Sequence, residues 1–407
     1  MKTNQLFRDG FFKDADFDFA VRCVLGGCAF GAAEAGEVLA TIDGVRSGDH
    51  RHWFDAWSST AQRVHQFADD QAAAGNRVSA AGAYLRAASY FGVAVDAVSA
   101  LGDEELLLPA FRRHRSAWDG FVGAVDVPVE PVAIPYGEST LPGFLFRPVG
   151  TVRPRPTAVM VNGSDGAISS MWVNGAAGAL ARGWNALVFD GPGQQSMLFE
   201  RGVGFRPDWE AVLTPVVDFL LTREEVDPAG LVAVGISQAG FWVPRALTVE
   251  KRFAAAVLDP GVVDVAASWE KHLPGSLMSL FRKGDRHAFD RDMALGFKLS
   301  ASSERTWRFR ARPYGAGGYF DTLAEVNRYA LTAQQAAEIE TPLLITAPER
   351  EQFWPGQSAQ LAQWVSGPVQ VLPFTGAEGA DFHCEPMART LVDARVFGEL
   401  TELIERH

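Results

Sequence analysis

The run Leu231-Val-Ala-Val-Gly-Ile-Ser-Gln-Ala-Gly-Phe-Trp242 decides how this chain is read. A continuous apolar strand enters Gly235-Ile236-Ser237-Gln238-Ala239-Gly240 and leaves it as a helix. A sharp strand-to-helix turn lifts a serine Oγ clear of the backbone, which makes Ser237 a candidate nucleophile. Residues two before and two after that serine must be small, because larger side chains would collide across the turn. Gly235 meets the requirement in full. Ala239 stands where Gly is usual, and Gly240 follows it. A bare G-x-S-x-A string is common by chance, and an ordinary strand–turn–helix is the competing reading; its place after a buried strand gives it weight.

Outward from this turn, short β-rich runs alternate with helical stretches. The runs are Thr157–Asn162, Asn185–Asp190, Leu231–Ile236, Ala254–Asp259, Leu343–Ala347 and Val369–Leu372, with a helix expected over Trp209–Leu221. Such alternation predicts an α/β fold whose parallel sheet is covered on both faces. Ahead of the runs, Val127–Pro148 alternates apolar and polar residues around Tyr136–Pro142, a hairpin pattern. Roughly eighty residues separate Asp259 from Leu343, more than twice the usual connection. Insertions at the carboxyl ends of parallel strands sit over the ligand crevice, so this one reads as a lid or pocket wall. The expected division is a helical region over 1–124 and a catalytic region over 125–407, with the insertion at about 262–340.

The first region is rich in Ala and Leu. Ser79–Phe91 places apolar groups at i, i+3, i+4 and i+7, and Asp103-Glu104-Glu105 reads as a fresh helix start. It either packs on the core or forms one wall of the pocket, and the two readings are compatible.

Composition removes several classes. With 49 acidic against 37 basic side chains the net charge is −12, which repels nucleic-acid backbones. Hydrophobic residues make up 47%, enough for an ample core and against disorder. Met1–Ala20 carries charges throughout and no apolar core of a signal peptide, and no apolar window is long enough to span a bilayer. Cys23, Cys28 and Cys384 form neither a C-x-x-C pair nor a disulfide framework. A cytoplasmic setting is expected, with no nucleic-acid or membrane partner.

A serine needs a base to take its proton. In sites of this layout the chain order is Ser, acid, His. Beyond the last expected strand, and before the terminal residue, stands one histidine, His383 in Gly376-Ala-Glu-Gly-Ala-Asp-Phe-His-Cys-Glu-Pro386. The acid belongs just past the preceding strand, in Thr346-Ala-Pro-Glu-Arg-Glu-Gln-Phe-Trp-Pro355. Glu351 is preferred, being placed a few residues ahead of a helix-opening Pro; Glu349 and Asp259 remain alternatives. Two backbone N–H groups must hold the oxyanion. Gln238 supplies one, and Ser164, in the small-residue loop Asn162-Gly-Ser-Asp-Gly166, supplies the other. Asp190-Gly-Pro-Gly-Gln-Gln195 lacks the Lys-Ser/Thr of a phosphate loop and reads as a tight turn on the site rim. Trp172, Trp242, Trp269, Phe353 and Trp354 lie near strand ends or on flanking helices. Singly each is a core residue, and together they favour an aromatic or flat substrate. No metal or organic cofactor is indicated.

These pieces resemble the α/β-hydrolase superfamily. The strings NGSDG (162–166), FDGPGQ (189–194), RPDWE (206–210), GISQAG (235–240), EQFWPGQ (351–357) and EGADFHCEP (378–386) are similar to the branch containing 2,6-dihydroxypseudooxynicotine hydrolase, fungal polyketide-shortening hydrolases and fermentation-respiration switch proteins. The resemblance runs over most of the chain. It implies an eight-stranded sheet, a Ser237–Glu351–His383 triad, cleavage of a carbon–carbon bond beside a ketone in several relatives, and homodimers in some. It also implies an assisting carboxylate after the sixth strand, for which Glu270 is the candidate, beside Trp269 and Trp354 in the pocket. Ala239 for Gly, and Glu for Asp as the acid, depart from the usual pattern. The expected chemistry is hydrolysis of an ester or a carbon–carbon bond in an aromatic or polyketide-like small molecule. The same fold also supports cyclisation or carbon–carbon bond formation, and a ligand-binding protein without turnover is the remaining reading.

Overall fold

The computed structural model describes residues 6–150 and 153–405. One sheet holds β1 (Val129–Tyr136), β2 (Ser139–Phe146), β3 (Arg155–Val161), β4 (Asn185–Phe189), β5 (Val226–Ile236), β6 (Ala255–Asp259), β7 (Leu343–Pro348) and β8 (Val369–Phe374). Their spatial order is β1-β2-β4-β3-β5-β6-β7-β8. The β1–β2 hairpin is antiparallel and β2 is antiparallel to β4. All other neighbours run parallel. Most expected strand ends lie within two residues of the observed ones, and two bounds differ most from the sequence reading. The hairpin turn is tighter, with Tyr136 opposite Ser139. Strand β5 starts at Val226, but its register on β3 jumps from Val226 to Leu231, and the little-buried Asp227, Pro228 and Ala229 between them carry no apolar signal.

Strand β5 shows why the sheet is covered twice. Alternate side chains point to opposite faces of a strand. Leu231 and Ala233 enter one core with Trp209, Trp242 and Tyr329. Val232, Val234 and Ile236 enter the other, with Trp57, Phe91 and Trp118 from the N-terminal helices. Each fully buried side chain of this size contributes about 1.5–3 kcal/mol. The helical extension thus shares a continuous core with one face of the sheet.

That extension contains α1 (Ala15–Gly26), α2 (His50–Ala73), α3 (Arg77–Ala97) and α4 (Leu107–Ala124). The Asp14 side chain caps α1 by accepting from the N–H groups of Asp16 and Phe17. Helix α3 lies between α2 and α4, and its buried Ala80, Ala83, Ala87 and Ala94 let neighbouring backbones approach closely. Asp103 precedes a single 3₁₀ turn, Glu104–Leu106, which runs directly into α4.

Across the other face pack α5 (Glu210–Leu220) and α6 (Ala239–Leu247). Between β6 and β7 the long connection folds into helices that include α7 (Ala267–Glu270) and α8 (Ala301–Ala311). It holds a small core of its own, built on Leu277, Met278, Phe289, Met293 and Leu323. The chain closes with α9 (Arg389–Glu405). Among the described residues no helix is long and apolar enough to cross a membrane.

Candidate active site

Ser237 stands at the carboxyl end of β5, near the middle of the sheet, with φ of 57°. A left-handed conformation is costly for a side chain with a Cβ, so its neighbours must fix it. The N–H of Ser237 donates to the carbonyl oxygen of Asp259 at 2.7 Å, and its own carbonyl accepts the N–H of Gly240 at 2.8 Å. A Cβ at Gly235 would lie 2.6 Å from the Ala239 carbonyl oxygen, so only Gly fits there. Gly240 is needed too, because a Cβ there would lie 1.9 Å from the Pro260 carbonyl oxygen. The closest backbone approach after the serine therefore falls at position 240, and a methyl group at 239 is buried without conflict.

His383, on the loop after β8, is 3% exposed. Its Nε2 lies 2.9 Å from Ser237 Oγ, and its Nδ1 lies 2.9 Å from both carboxylate oxygens of Glu351. The Glu351 oxygen Oε1 also accepts the N–H groups of Phe353 and Trp354, at 2.8 and 3.1 Å. Burial pushes the Glu351 carboxyl up, but the His383 ring and these donors outweigh it and hold the group below its ordinary value. The two alternative acids are engaged elsewhere. Glu349 accepts the N–H of Gly376 at 2.9 Å, and Asp259 is bound by Arg389 and Thr346.

The loop after β3 faces Ser237. Asn162 ties it internally, its Nδ2 donating to the carbonyls of Gly166 and Ala167 and its Oδ1 accepting the N–H of Gly163. Gln194, from the rim turn after β4, donates to the Asn162 carbonyl oxygen at 2.7 Å and fixes the loop from outside. The N–H groups of Ser164 and Gln238 have no acceptor among the described residues. Tyr314, from the insertion, donates to Gln238 Oε1 at 3.2 Å in the buried interior.

Aromatic rings surround the imidazole. Phe353 and Trp354 lie 4.6 and 5.6 Å from it, centroid to centroid. Trp354 is anchored by its Nε1, which donates to the Val265 carbonyl at 3.3 Å. Phe19, from α1, lies 6.2 Å away and was not singled out from the sequence. Trp269 packs edge-on against Trp307 and Tyr314. Glu270 accepts from Asn327 at 3.3 Å and makes no hydrogen bond with Ser237, Glu351 or His383, so the structure does not join it to them. Trp242 stacks on Trp209 in the core, and Trp172 packs on Phe121 and Phe146.

Two polar groups on the N-terminal helices also stand out. Cys23 and Asp96 each have ample solvent-accessible surface, yet burial pushes the thiol up to about 12 and the carboxyl well above its ordinary range. Both facts hold together when the exposed surface lines an enclosed space rather than the outside. Cys23 is one turn along α1 from Phe19, on the same face. Asp96 adds to the Cys23 shift and is itself influenced by Asp165 and Arg310. Arg310 of α8 reaches Asp16 of α1 at 3.7 Å.

The chain has the sheet order of the α/β-hydrolase fold, with a serine on the turn after β5. No protein-family model matches it. It is related to fungal hydrolases: 29% identical to Hydrolase LUC6 of Fusarium sp over 368 residues, spanning 86% of this chain and 85% of that protein. It is 28% identical over 346 residues to 20-hydroxy-prefusarin hydrolase FUS2 of Gibberella moniliformis, spanning 81% of each. Its fold matches the crystal structure of 2,6-dihydroxy-pseudo-oxynicotine hydrolase with a TM-score of 0.74 at 18% identity, covering 94% of this chain and 95% of that one. These relationships support hydrolase activity in general terms.

Proposed function

We propose that this protein is a serine hydrolase that cleaves an ester, or a carbon–carbon bond beside a ketone, in an aromatic or polyketide-like small molecule. The observation that carries this reading is the His383 ring bridging Ser237 Oγ and Glu351 at 2.9 Å on each side. Glu351 holds the Nδ1–H tautomer, which leaves Nε2 free to accept the serine proton. Ser237 Oγ then bonds to the substrate carbonyl carbon as its proton moves to His383. The oxyanion is held by the N–H groups of Gln238 and Ser164, which have no acceptor among the described residues. His383 returns the proton to the departing alkoxide or enolate as the bond to carbon breaks. Water, deprotonated by the same imidazole, releases the acyl group and regenerates the serine.

The substrate class is supported by the rings of Phe19, Phe353 and Trp354 about His383, and by the name of the 20-hydroxy-prefusarin hydrolase among the relatives. The space between α1, α3 and the sheet, lined by Cys23 and Asp96, is read as the substrate cavity, with the insertion as its remaining wall. A fluorophosphonate probe tests the chemistry. Wild-type protein should label and Ser237→Ala should not. A folded wild type that stays unlabelled, or equal labelling of the variant, removes this reading.

A further inference from the structure

Beneath the turn that carries His383 lies a charged cluster with no role in the chemistry above. Asp259, Glu385 and Arg389 are 1%, 0% and 3% exposed. Arg389 Nη1 donates to Asp259 Oδ2 at 2.6 Å and to the Cys384 carbonyl oxygen at 2.8 Å, while Nη2 reaches the Asn174 carbonyl at 3.3 Å. The Glu385 carboxylate lies 3.5 Å from the same Nη1, and Thr346 Oγ1 donates to Asp259 Oδ1 at 2.8 Å. Two carboxyl groups therefore share one guanidinium away from water. Neither oxygen of Glu385 has a hydrogen-bond donor among the described residues. An ionised carboxylate in that position has only the shared guanidinium at 3.5 Å to offset its desolvation, and two facing carboxylates relieve this by keeping one proton. Burial and Asp259 push Glu385 well above its ordinary range, whereas Arg389 holds Asp259 below its own despite burial.

The same cluster supports the backbone under both reacting side chains. The carbonyl oxygen of Asp259 accepts the Ser237 N–H at 2.7 Å and the Cys384 thiol at 3.1 Å. Cys384 and Glu385, directly after His383, have φ of 57° and 40°. Two consecutive left-handed residues with side chains cost on the order of 1–2 kcal/mol each and persist only where the surroundings hold them.

We propose that Asp259, Glu385 and Arg389 are positioning residues, a buried neutral lock that holds the left-handed Cys384–Glu385 turn and so keeps His383 over Ser237. One positive charge, one negative charge and one neutral acid leave the lock uncharged, with the Glu385 hydroxyl donating to Asp259. The proposal rests on the triad reading. The groups facing Glu385 are Asp259 from β6, Thr346 from β7, the Cys384 thiol, and Arg389 from α9. One turn beyond Arg389 is Asp393, whose carboxyl burial pushes up to about 6.

The test compares Glu385→Gln, Glu385→Ala and Arg389→Met in steady-state hydrolysis of a p-nitrophenyl ester, with thermal unfolding recorded for each. An amide keeps the donor to Asp259 and cannot ionise. Glu385→Gln should therefore retain kcat at neutral pH and lose the alkaline decline that ionisation of Glu385 imposes on the wild type. Glu385→Ala should lower kcat about tenfold, and Arg389→Met about 10²-fold, the scale of an ångström-sized misplacement, with KM changed far less. Equal impairment by Gln and Ala, or an alkaline limb that persists in Glu385→Gln, overturns the lock. So does a folded Arg389→Met of wild-type kcat. Fluorophosphonate labelling run alongside separates the two readings: labelled wild type with these results sinks the lock alone, and unlabelled wild type sinks the triad and the lock with it.

Discussion

Gly26, at the end of α1, meets Pro386 backbone to backbone: a Cβ on Gly26 would lie 1.7 Å from the Pro386 carbonyl oxygen. Pro386 is three residues past His383 on the same loop. Gly26→Ala must therefore push either α1 or the histidine loop aside. The expected loss is about 1–3 kcal/mol of stability, the usual cost of overpacking. Because the loop carries the proposed base, kcat should fall more than KM rises. Urea unfolding and steady-state kinetics on an activated ester measure the two effects, and unchanged kcat would separate α1 from the positioning of His383.

Glu351 and Glu349 are two residues apart and have different partners. Glu351→Gln removes the charge opposite His383 Nδ1 and offers the wrong hydrogen-bond pattern, so kcat should drop by roughly 10³–10⁴-fold. Glu349→Gln keeps an acceptor oxygen for the Gly376 N–H and removes only its charge, so it should stay within about twofold of wild type, the range of a single exposed hydrogen bond. The reverse ranking would reassign the acid.

In the proposed substrate cavity Asp96 offers a hydrogen-bonding carboxyl, and burial pushes that carboxyl well above its usual range. Asp96→Asn preserves shape and hydrogen bonding and should change kcat/KM by less than about threefold. Asp96→Leu should raise KM about tenfold or more for a substrate with a hydroxyl or amine donor, the cost of leaving a buried polar group unpaired. For a substrate lacking such a donor, Leu should match or exceed wild type. Identical effects on both substrate types would place Asp96 outside the binding surface.

His114 is buried against Ser169 Oγ at 3.0 Å, and burial pushes its pKa down from about 6.5 to about 3. The folded form binds its proton more weakly than the unfolded form. Stability is therefore full above about 6.5 and declines as pH falls through the interval down to about 3. The decline is on the order of a few kcal/mol, since each tenfold loss of proton affinity on folding corresponds to about 1.4 kcal/mol. Unfolding free energies across that interval should flatten in His114→Gln. An unchanged slope would assign the acid sensitivity to other groups.

Some of this was legible in the string because the signal was local. Ser237 follows a buried strand, and His383 follows the last one, so chain order alone brings them near each other. Glu351 was harder to separate from Glu349, because the distinction lies in which carboxylate the N–H groups of Phe353 and Trp354 enclose. Asp259 looked like a possible acid because it ends a strand at the right edge. Its carboxylate points instead to Arg389, 130 residues further on, a pairing no local pattern encodes. Phe19 was invisible for a related reason: periodicity shows that a helix buries one face, but not what that face meets. Asp96 did leave a trace, since it interrupts the apolar run Val93-Ala-Val-Asp-Ala-Val98 in a helix otherwise buried there.

Phe19, Cys23 and Asp96 all come from helices before the first strand, whereas Ser237, Glu351 and His383 come from turns at the ends of later strands. On the proposed reading, divergence in the leading helices alters which molecules are accepted while the bond-making centre is inherited intact. For engineering, this places changes of selectivity and changes of turnover in separate libraries, drawn from different stretches of the gene.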